Sequence, residues 1–283
     1  MSEVIIFHDR CHDGITALWA ALQRYPNAEP YPARYESPPD LDRLRGRDVV
    51  IVDFSWKRGP LLAVADASAS IQVLDHHKTA QVELEGLDFC VFDMDRSGAG
   101  LAWDELVGGE RPRLIDYVED RDLWRFSLPN CREVHAACNS YPLTLDQRRW
   151  LMGREINELV TEGKAILRYH DKLVESAARW AKRETIGGHN VPSIQCPNIE
   201  LVSDLGHRLA KDEAFAAVWV VRDDGSVAYS LRSSDAGEDV GAIAASYDGG
   251  GHRNASGFTV PRPLSVGPHS LSGTTDAESG GNG

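Results

Sequence analysis

Ile71-Gln72-Val73-Leu74-Asp75-His76-His77 decides how the chain is read. A short β-branched run stops abruptly at a carboxylate and two imidazoles, as expected of a buried strand that delivers polar side chains to the edge of a sheet. Three consecutive polar residues in such a place need partners, because desolvating them unpaired is costly. Working outward, residues 4–7 and 49–54 are apolar runs of the same kind, and a fourth strand is expected near 89–92. Helical periodicity follows the first strand at 14–22, the second at 59–67 and the fourth at 100–107. Strand then helix, repeated, predicts an α/β domain with a mainly parallel sheet flanked by helices. Ligands of such sheets bind beyond the carboxyl ends of the strands. Residues 9–13, Asp53 and Asp75-His76-His77 all sit at those ends and are expected to converge on one crevice.

Residues 113–184 are mainly helical in pattern, with 143–185 long enough to bridge two domains before Gly187-Gly188 breaks the helix. Apolar strands are expected at 214–221 and 227–231, then a short helix at 240–247 and a glycine-rich loop at 249–257. The expected organisation is an N-terminal catalytic domain over 1–130, a helical connector over 131–186 and a smaller C-terminal α/β domain over 187–260. The active site is expected in the cleft between the domains. Residues 261–283, rich in Ser, Gly, Pro and Thr, read as a disordered tail.

With 283 residues, two domains can each bury a core. A composition of 42% hydrophobic and 26% charged residues argues against disorder and membrane residence, and residues 1–7 lack the features of a signal peptide. A cytoplasmic protein with reduced cysteines is expected, since Cys11, Cys90, Cys131, Cys138 and Cys196 form no C-x-x-C pair. A net charge of −13 works against sequence-independent adhesion to long nucleic acids, so an anionic substrate needs local help from metal ions or focused arginines.

His8, Asp13, Asp53, Asp75, His76, His77 and Asp120 supply oxygen and imidazole donors without a thiolate cluster, which suits Mn, Mg or a similar divalent ion. A strand-end carboxylate such as Asp53 can bridge two ions, an arrangement suited to in-line displacement at phosphorus. The plainer reading of a strand-end Asp is a turn or helix cap, and of a lone His, a structural residue. Gly249, Gly250 and Gly251 before His252 let a backbone approach an anion closely, and Arg232 can grip phosphate bidentately. Arg96 and Ser97 at a helix start are secondary anion-binding candidates, although Ser97 also reads as a simple cap. Lys78 can balance charge. Trp56 and Trp124 can stack on a base or pack in the core.

Residues 74–80, LDHHKTA, with FHDRCHDG at 7–14 upstream and VDFS at 52–55 between them, resemble the DHH phosphoesterase superfamily. RecJ-type exonucleases, nano-RNases, cyclic-dinucleotide phosphodiesterases and exopolyphosphatases are among its members. GGGHRNASG at 249–257, preceded by SLRS at 230–233, is similar to the DHH-associated C-terminal domain, so the resemblance spans 4–260. It implies that Asp13 and His76 hold one metal, that Asp53 bridges, that Asp120 is the fourth acidic ligand with Asp122 its rival, and that Asp75 and His77 support the ligands. Where many members have a first aspartate in the opening motif, this chain has Cys11, with His8 three residues earlier, as in a subgroup resembling His-x-x-Cys-x-Asp-Gly. Cys11 therefore stands as either a metal ligand or a small buried residue, and one or two ions are expected.

The expected reaction is Mn2+-dependent hydrolysis, with Mg2+ or Co2+ as alternatives, of short single-stranded oligonucleotides or dinucleotides to mononucleotides. Asp53, Asp75, His76 and His77 form the catalytic cluster. Arg232, Gly249 to Gly251 and His252 hold the substrate's phosphates. Rival readings are a phosphomonoesterase or phosphoanhydride hydrolase acting on bisphosphonucleotide or polyphosphate, and a non-catalytic nucleotide-binding protein. A homodimer is compatible with the sequence.

Overall fold

A computed structural model describes residues 3–35, 37–262 and 264. The chain divides into two compact units, Met1–Leu173 and Val174–Gly283.

The first unit opens with β1 (Glu3–His8), α1 (His12–Arg24), β2 (Glu29–Ala33), α2 (Leu41–Leu44), β3 (Asp48–Val52), α3 (Arg58–Ala67) and β4 (Ser70–Asp75). It continues with α4 (Lys78–Glu83), β5 (Cys90–Phe92), α5 (Gly98–Leu106), α6 (Arg113–Asp122), α7 (Cys131–Asn139) and α8 (Leu145–Met152). The five strands form one parallel sheet in the order β2-β1-β3-β4-β5. Successive side chains of a strand point to opposite faces, and the core divides accordingly. Ile5, Phe7, Val50, Val52 and Leu74 pack under α1 and α5, whereas Val4, Ile6, Val49, Ile51 and Val73 pack with Leu44, Leu61 and Leu84 on the other face. Both faces are covered, which is why these strands are apolar throughout. β2, Glu29-Pro30-Tyr31-Pro32-Ala33, is a strand absent from the sequence reading: its two prolines are tolerable because it lies at the sheet edge.

Helix α9 (Ile156–Ala178) follows α8 and runs across the division between the units. The second unit holds β6 (Lys182–Ile186), β7 (His189–Gln195), α10 (Ile199–Ala210), β8 (Ala216–Val221), β9 (Val227–Arg232), α11 (Val240–Ala245), β10 (Gly250–His252) and β11 (Ala255–Val260). Its sheet has the order β10-β11-β9-β8-β7-β6, antiparallel except for the β7/β8 pair. Val191, Phe215, Ala217, Tyr229, Leu231 and Phe258 form its core with Val240 and Ala244 of α11.

Two expectations are corrected. The continuous helix over 143–185 breaks at Gly153, which caps α8, and gives way to strand β6. Gly187 and Gly188, both at positive φ (56° and 83°), make the two-residue hairpin turn from β6 to β7 rather than simply ending a helix. The glycine-rich loop is likewise a hairpin: Gly250, Gly251 and His252 pair with Gly257, Ser256 and Ala255. Most of the expected tail, 263 and 265–283, lies outside the described residues. Among the described residues no helix is long and apolar enough to cross a membrane.

Candidate metal centre

The parallel sheet brings strand ends together. His8 closes β1, Asp53 follows β3, Asp75 closes β4, and His76-His77 come directly after it. Asp13 stands in the first turn of α1 and Asp122 closes α6. Asp53 adopts φ 53°, a left-handed conformation uncommon for a non-glycine residue and often found where function holds the backbone.

Asp75 is fully buried and saturated. Its Oδ1 accepts from the backbone N–H of His76 (2.8 Å) and His77 (3.3 Å) and from His77 Nδ1 (2.7 Å), while Oδ2 accepts from the Ser55 hydroxyl (2.9 Å). An ionised carboxylate has no proton to give, so His77 carries its proton on Nδ1. Burial alone would raise the Asp75 pKa, but His77 outweighs it and holds the carboxyl below its ordinary range.

Asp53, 1% exposed, faces two ways. Its Oδ1 lies 3.1 Å from His76 Nε2 and its Oδ2 3.6 Å from His8 Nδ1. His76 Nε2 is also 3.7 Å from Asp13 Oδ2 and 3.6 Å from Asp122 Oδ2. Asp13 spends its other oxygen on the backbone N–H of Ala99, 3.1 Å away in the first turn of α5. The sets of potential ligand atoms in this unit are Asp13–His76–Asp122, His8–Cys11–Asp53 and Asp53–Asp75–His77, the atoms of each within 4.8 Å of one another. Cys11, where the family pattern was least secure, thus stands with His8 and Asp53. Ser55 and Gly98 complete the surroundings. A Cβ at residue 98 would overlap the Cβ of Asp53, so the helix can approach this closely only with glycine there.

The electrostatics call for a cation. Asp13 is pushed well above the usual carboxylate range by burial and then by the charges of Asp53 and Asp122. Burial would lower His76, yet its hydrogen bond to Asp53 and the charges of Asp122, Asp53 and Asp13 push it up to about 10. Asp53 is held far below its ordinary value because His76 and His8 outweigh its burial. Burial, followed by the neighbouring carboxylates, pushes the Cys11 pKa well up. Asp13 Oδ2 and Asp53 Oδ2 are buried and accept no hydrogen bond among the described residues. Buried oxygens without donors beside imidazoles fit a divalent ion, which would replace the repulsion with coordination.

Other expected site residues are placed differently. Asp120 accepts from Ser127 N (2.9 Å), Ser127 Oγ (2.5 Å) and Leu128 N (3.0 Å), anchoring a loop with Trp124, Phe126 and Asn130 at positive φ. Asp122, two residues on, is the one beside His76. Arg96 is engaged by Asp93 (2.7 Å), Asp104 (3.2 Å) and Glu105 (3.1 Å), and Ser97 caps α5 by accepting from Gly100 N. Trp56 is core, with its Nε1 donating to Ser37 O at 2.8 Å. Trp124 lies under the Arg121 guanidinium, 4.0 Å from the ring centre. Lys78 opens α4. One pair had no sequence signal at all: Arg148 of α8, 2% exposed, places Nη2 2.8 Å from Nδ1 of His12. Burial, then Arg148 and Arg121, push the His12 pKa down to about 3.

In the second unit Ala255 of β11 pairs with His252 on one side and Arg232 on the other, so strand register sets these three residues in a row on one face. The Arg232 stem rests against Gly206 of α10, its Nη1 donates to Leu231 O (2.8 Å), and its Nε reaches Ser203 Oγ (3.4 Å). A Cβ on Gly249 or Gly251 would strike β11, so close strand packing is one demand these glycines meet.

No protein-family model matches the chain. It is 32% identical over 232 residues to the uncharacterized protein R106 of Acanthamoeba polyphaga mimivirus, covering 77% of this chain and 54% of that protein. It is 26% identical over 219 residues to the oligoribonuclease NrnB of Bacillus subtilis, covering 69% of this chain and 54% of that protein. The chain thus spans about half the length of the curated relatives it matches. Among solved structures, the DHH domain of a member of a ribosomal-protein family superposes with a TM-score of 0.52 at 14% identity, over 90% of this chain and 82% of that one. RecJ from Thermus thermophilus, in complex with Mn2+, gives a TM-score of 0.52 at 16% identity over 91% of this chain and 49% of that one. The chain thus shares the fold of these DHH proteins and carries an Asp75-His76-His77 triplet at the end of β4.

Proposed function

We propose that the chain is a metal-dependent phosphoesterase that hydrolyses the phosphodiester bonds of short oligonucleotides or dinucleotides. The observation that carries this reading is Asp53, whose two carboxylate oxygens face different ligand sets, as a residue shared by two cations would. Asp13, His76 and Asp122 with one Asp53 oxygen would hold one ion, and His8, Cys11 and the other Asp53 oxygen a second. A divalent ion bound there, Mn2+ in the first instance, would supply Lewis acidity and a water of lowered pKa.

The residues around the ligands fix orientation. Asp75 keeps the proton of His77 on Nδ1, leaving a lone pair on Nε2, and the Ser55 hydroxyl holds Asp75 itself in place. Ala99 N–H ties down one oxygen of Asp13, so the other is directed at His76. Arg232, His252 and the backbone of Gly249 to Gly251 are proposed to bind substrate phosphate, the guanidinium through paired N–H donors. The oligoribonuclease name of the Bacillus subtilis relative supports short RNA as the first substrate to try.

The test is a panel of end-labelled RNA and DNA oligomers, linear and cyclic dinucleotides, bisphosphonucleotide and polyphosphate, supplied in turn with Mn2+, Mg2+ and Co2+ and resolved by product. Mononucleotides from oligomers or dinucleotides support the proposal. Orthophosphate from bisphosphonucleotide or polyphosphate alone would replace it with a phosphomonoesterase or phosphoanhydride hydrolase. No turnover with any ion would sink it.

A further inference from the structure

We propose that His12 is a further substrate-contacting residue, a neutral imidazole locked by the buried Arg148 so that its Nε2–H donates to a phosphoryl oxygen of the substrate. The inference rests on the phosphoesterase reading above and assigns a role to two residues that the metal set does not use.

Its basis is the hydrogen bond between Arg148 Nη2 and His12 Nδ1, 2.8 Å long and linking positions 136 residues apart. A guanidinium has donors and no acceptor. Nδ1 must therefore offer its lone pair, and the imidazole proton must sit on Nε2. An imidazolium, with N–H on both nitrogens, would set two donors against each other. The tautomer follows from the chemistry of the partner.

Nε2 is available. Among the described residues the His12 side chain hydrogen-bonds to Arg148 alone, its ring meets that of His135 edge-on at 5.7 Å, and its Nε2, not among the fully buried polar atoms left without a partner, keeps some exposure. His12 is the first residue of α1, between Cys11 and Asp13, both of which stand in the candidate ligand sets. The charged groups acting on it are Arg148 and Arg121, the latter next in the chain to Asp122. A donor held by one guanidinium and next in the chain to two residues of the candidate ligand sets suits an anionic oxygen of a substrate whose phosphorus is at the metals.

Arg148 is poorly explained as packing alone. It is 2% exposed, and its Nε and Nη1 have no hydrogen-bond partner among the described residues; besides burial, the groups that act on its charge are Cys138, Asp13 and Cys11. A buried cation left with unmet donors is unfavourable compared with an apolar side chain of similar volume. Fixing the orientation and tautomer of His12 gives the cation a use, which makes Arg148 a positioning residue.

The first measurement is long-range 15N NMR of the full-length protein labelled at histidine. His12 should show a protonated Nε2 and a bare Nδ1, Arg148→Lys should keep that pattern, and Arg148→Met should lose it. A protonated Nδ1 in the wild-type protein overturns the proposal. On the substrate that the panel identifies, His12→Phe should lower kcat by about 100-fold, the typical loss on deleting a donor to a reacting oxygen, with bound metal and Tm retained. His12→Gln, which restores a neutral N–H, should recover to within about tenfold of wild type. His12→Phe turning over at the wild-type rate would remove His12 from the reaction while leaving the metal reading intact. Should the wild-type protein hydrolyse nothing, the metal reading fails by itself. His12 is then judged by adding a linear diribonucleotide with Mg2+: a shift of its Nε2–H resonance sustains the contact, and an unmoved resonance ends it.

Discussion

Among the described residues, the buried polar side chains of the first unit include Asp13, Asp53, Asp75, His76, Asp120 and Arg148, whereas those of the second are the hydroxyls of Ser193, Ser233 and Ser256. Each of those hydroxyls donates a hydrogen bond, to Glu184, to the Arg253 carbonyl and to the Val240 carbonyl respectively. The buried side-chain atoms without hydrogen-bond partners, among the described residues, all belong to the first unit. Burying a charge with incomplete partners costs several kcal/mol per ion, so the first unit carries an electrostatic strain that a bound cation would relieve. The second unit carries none of comparable size. The difference teaches where to look for chemistry: at the end of the parallel sheet the fold gives up stability for a charged cluster, while the antiparallel sheet positions Arg232 and His252 by register at no such cost.

The comparison breaks most decisively at Asp53. Asp53→Asn should reduce hydrolysis and bound metal by more than about 100-fold, the upper range for residues that only support ligands, as checked by turnover and elemental analysis. Asp13→Asn should also lose metal yet raise the Tm of the metal-free protein, since it removes a carboxyl whose ionised form is disfavoured by burial and then by the charges of Asp53 and Asp122; a lower metal-free Tm would contradict the idea of stored strain. Asp75→Asn, which disturbs the His77 proton and the Ser55 contact, should lower metal affinity by about 10–100-fold, measured by isothermal titration.

Gly98→Ala sharpens the contrast from the packing side. With the new Cβ overlapping Asp53, urea denaturation should show a loss of about 1–3 kcal/mol. Gly59→Ala, whose Cβ meets open space on α3, should gain up to about 1 kcal/mol. In the second unit Arg232→Ala should raise KM by about tenfold, or about 1.4 kcal/mol, with metal content unchanged. Equal loss of metal in this variant would erase the division of labour.

The smallest effect belongs to the surface network near α5. Asp104 is held below the ordinary carboxylate range first by hydrogen bonds from Arg111, then by Arg96, against partial burial. A depressed folded pKa means that its contribution is complete above the unfolded value of about 3.9 and is lost as pH falls through the folded value. The difference in urea midpoint between wild type and Asp104→Asn should therefore be full at about pH 6 and shrink below about pH 4.

Much of the first unit was legible in the sequence because its signals are local. The apolar runs of β1, β3 and β4 stop at His8, Asp53 and Asp75, and a parallel sheet must gather such ends on one edge. The DHH triplet and the His8-to-Asp13 motif could be read for the same reason. Elsewhere only the tertiary structure could decide. The prolines of β2 argue against a strand unless the sheet places it at an edge, and Gly187-Gly188 signals a break without saying that both flanking segments are strands. Asp120 and Asp122 are the same residue type two positions apart, and helix α6 with its following loop determines that one anchors the loop while the other stands beside His76. Gly98 matters because a distant helix terminus meets Asp53, and His12 gains its proton position from Arg148 on α8. Local sequence specifies what a side chain can do, but the partners that set its charge, proton and orientation arrive from far along the chain, and only folding brings them within reach.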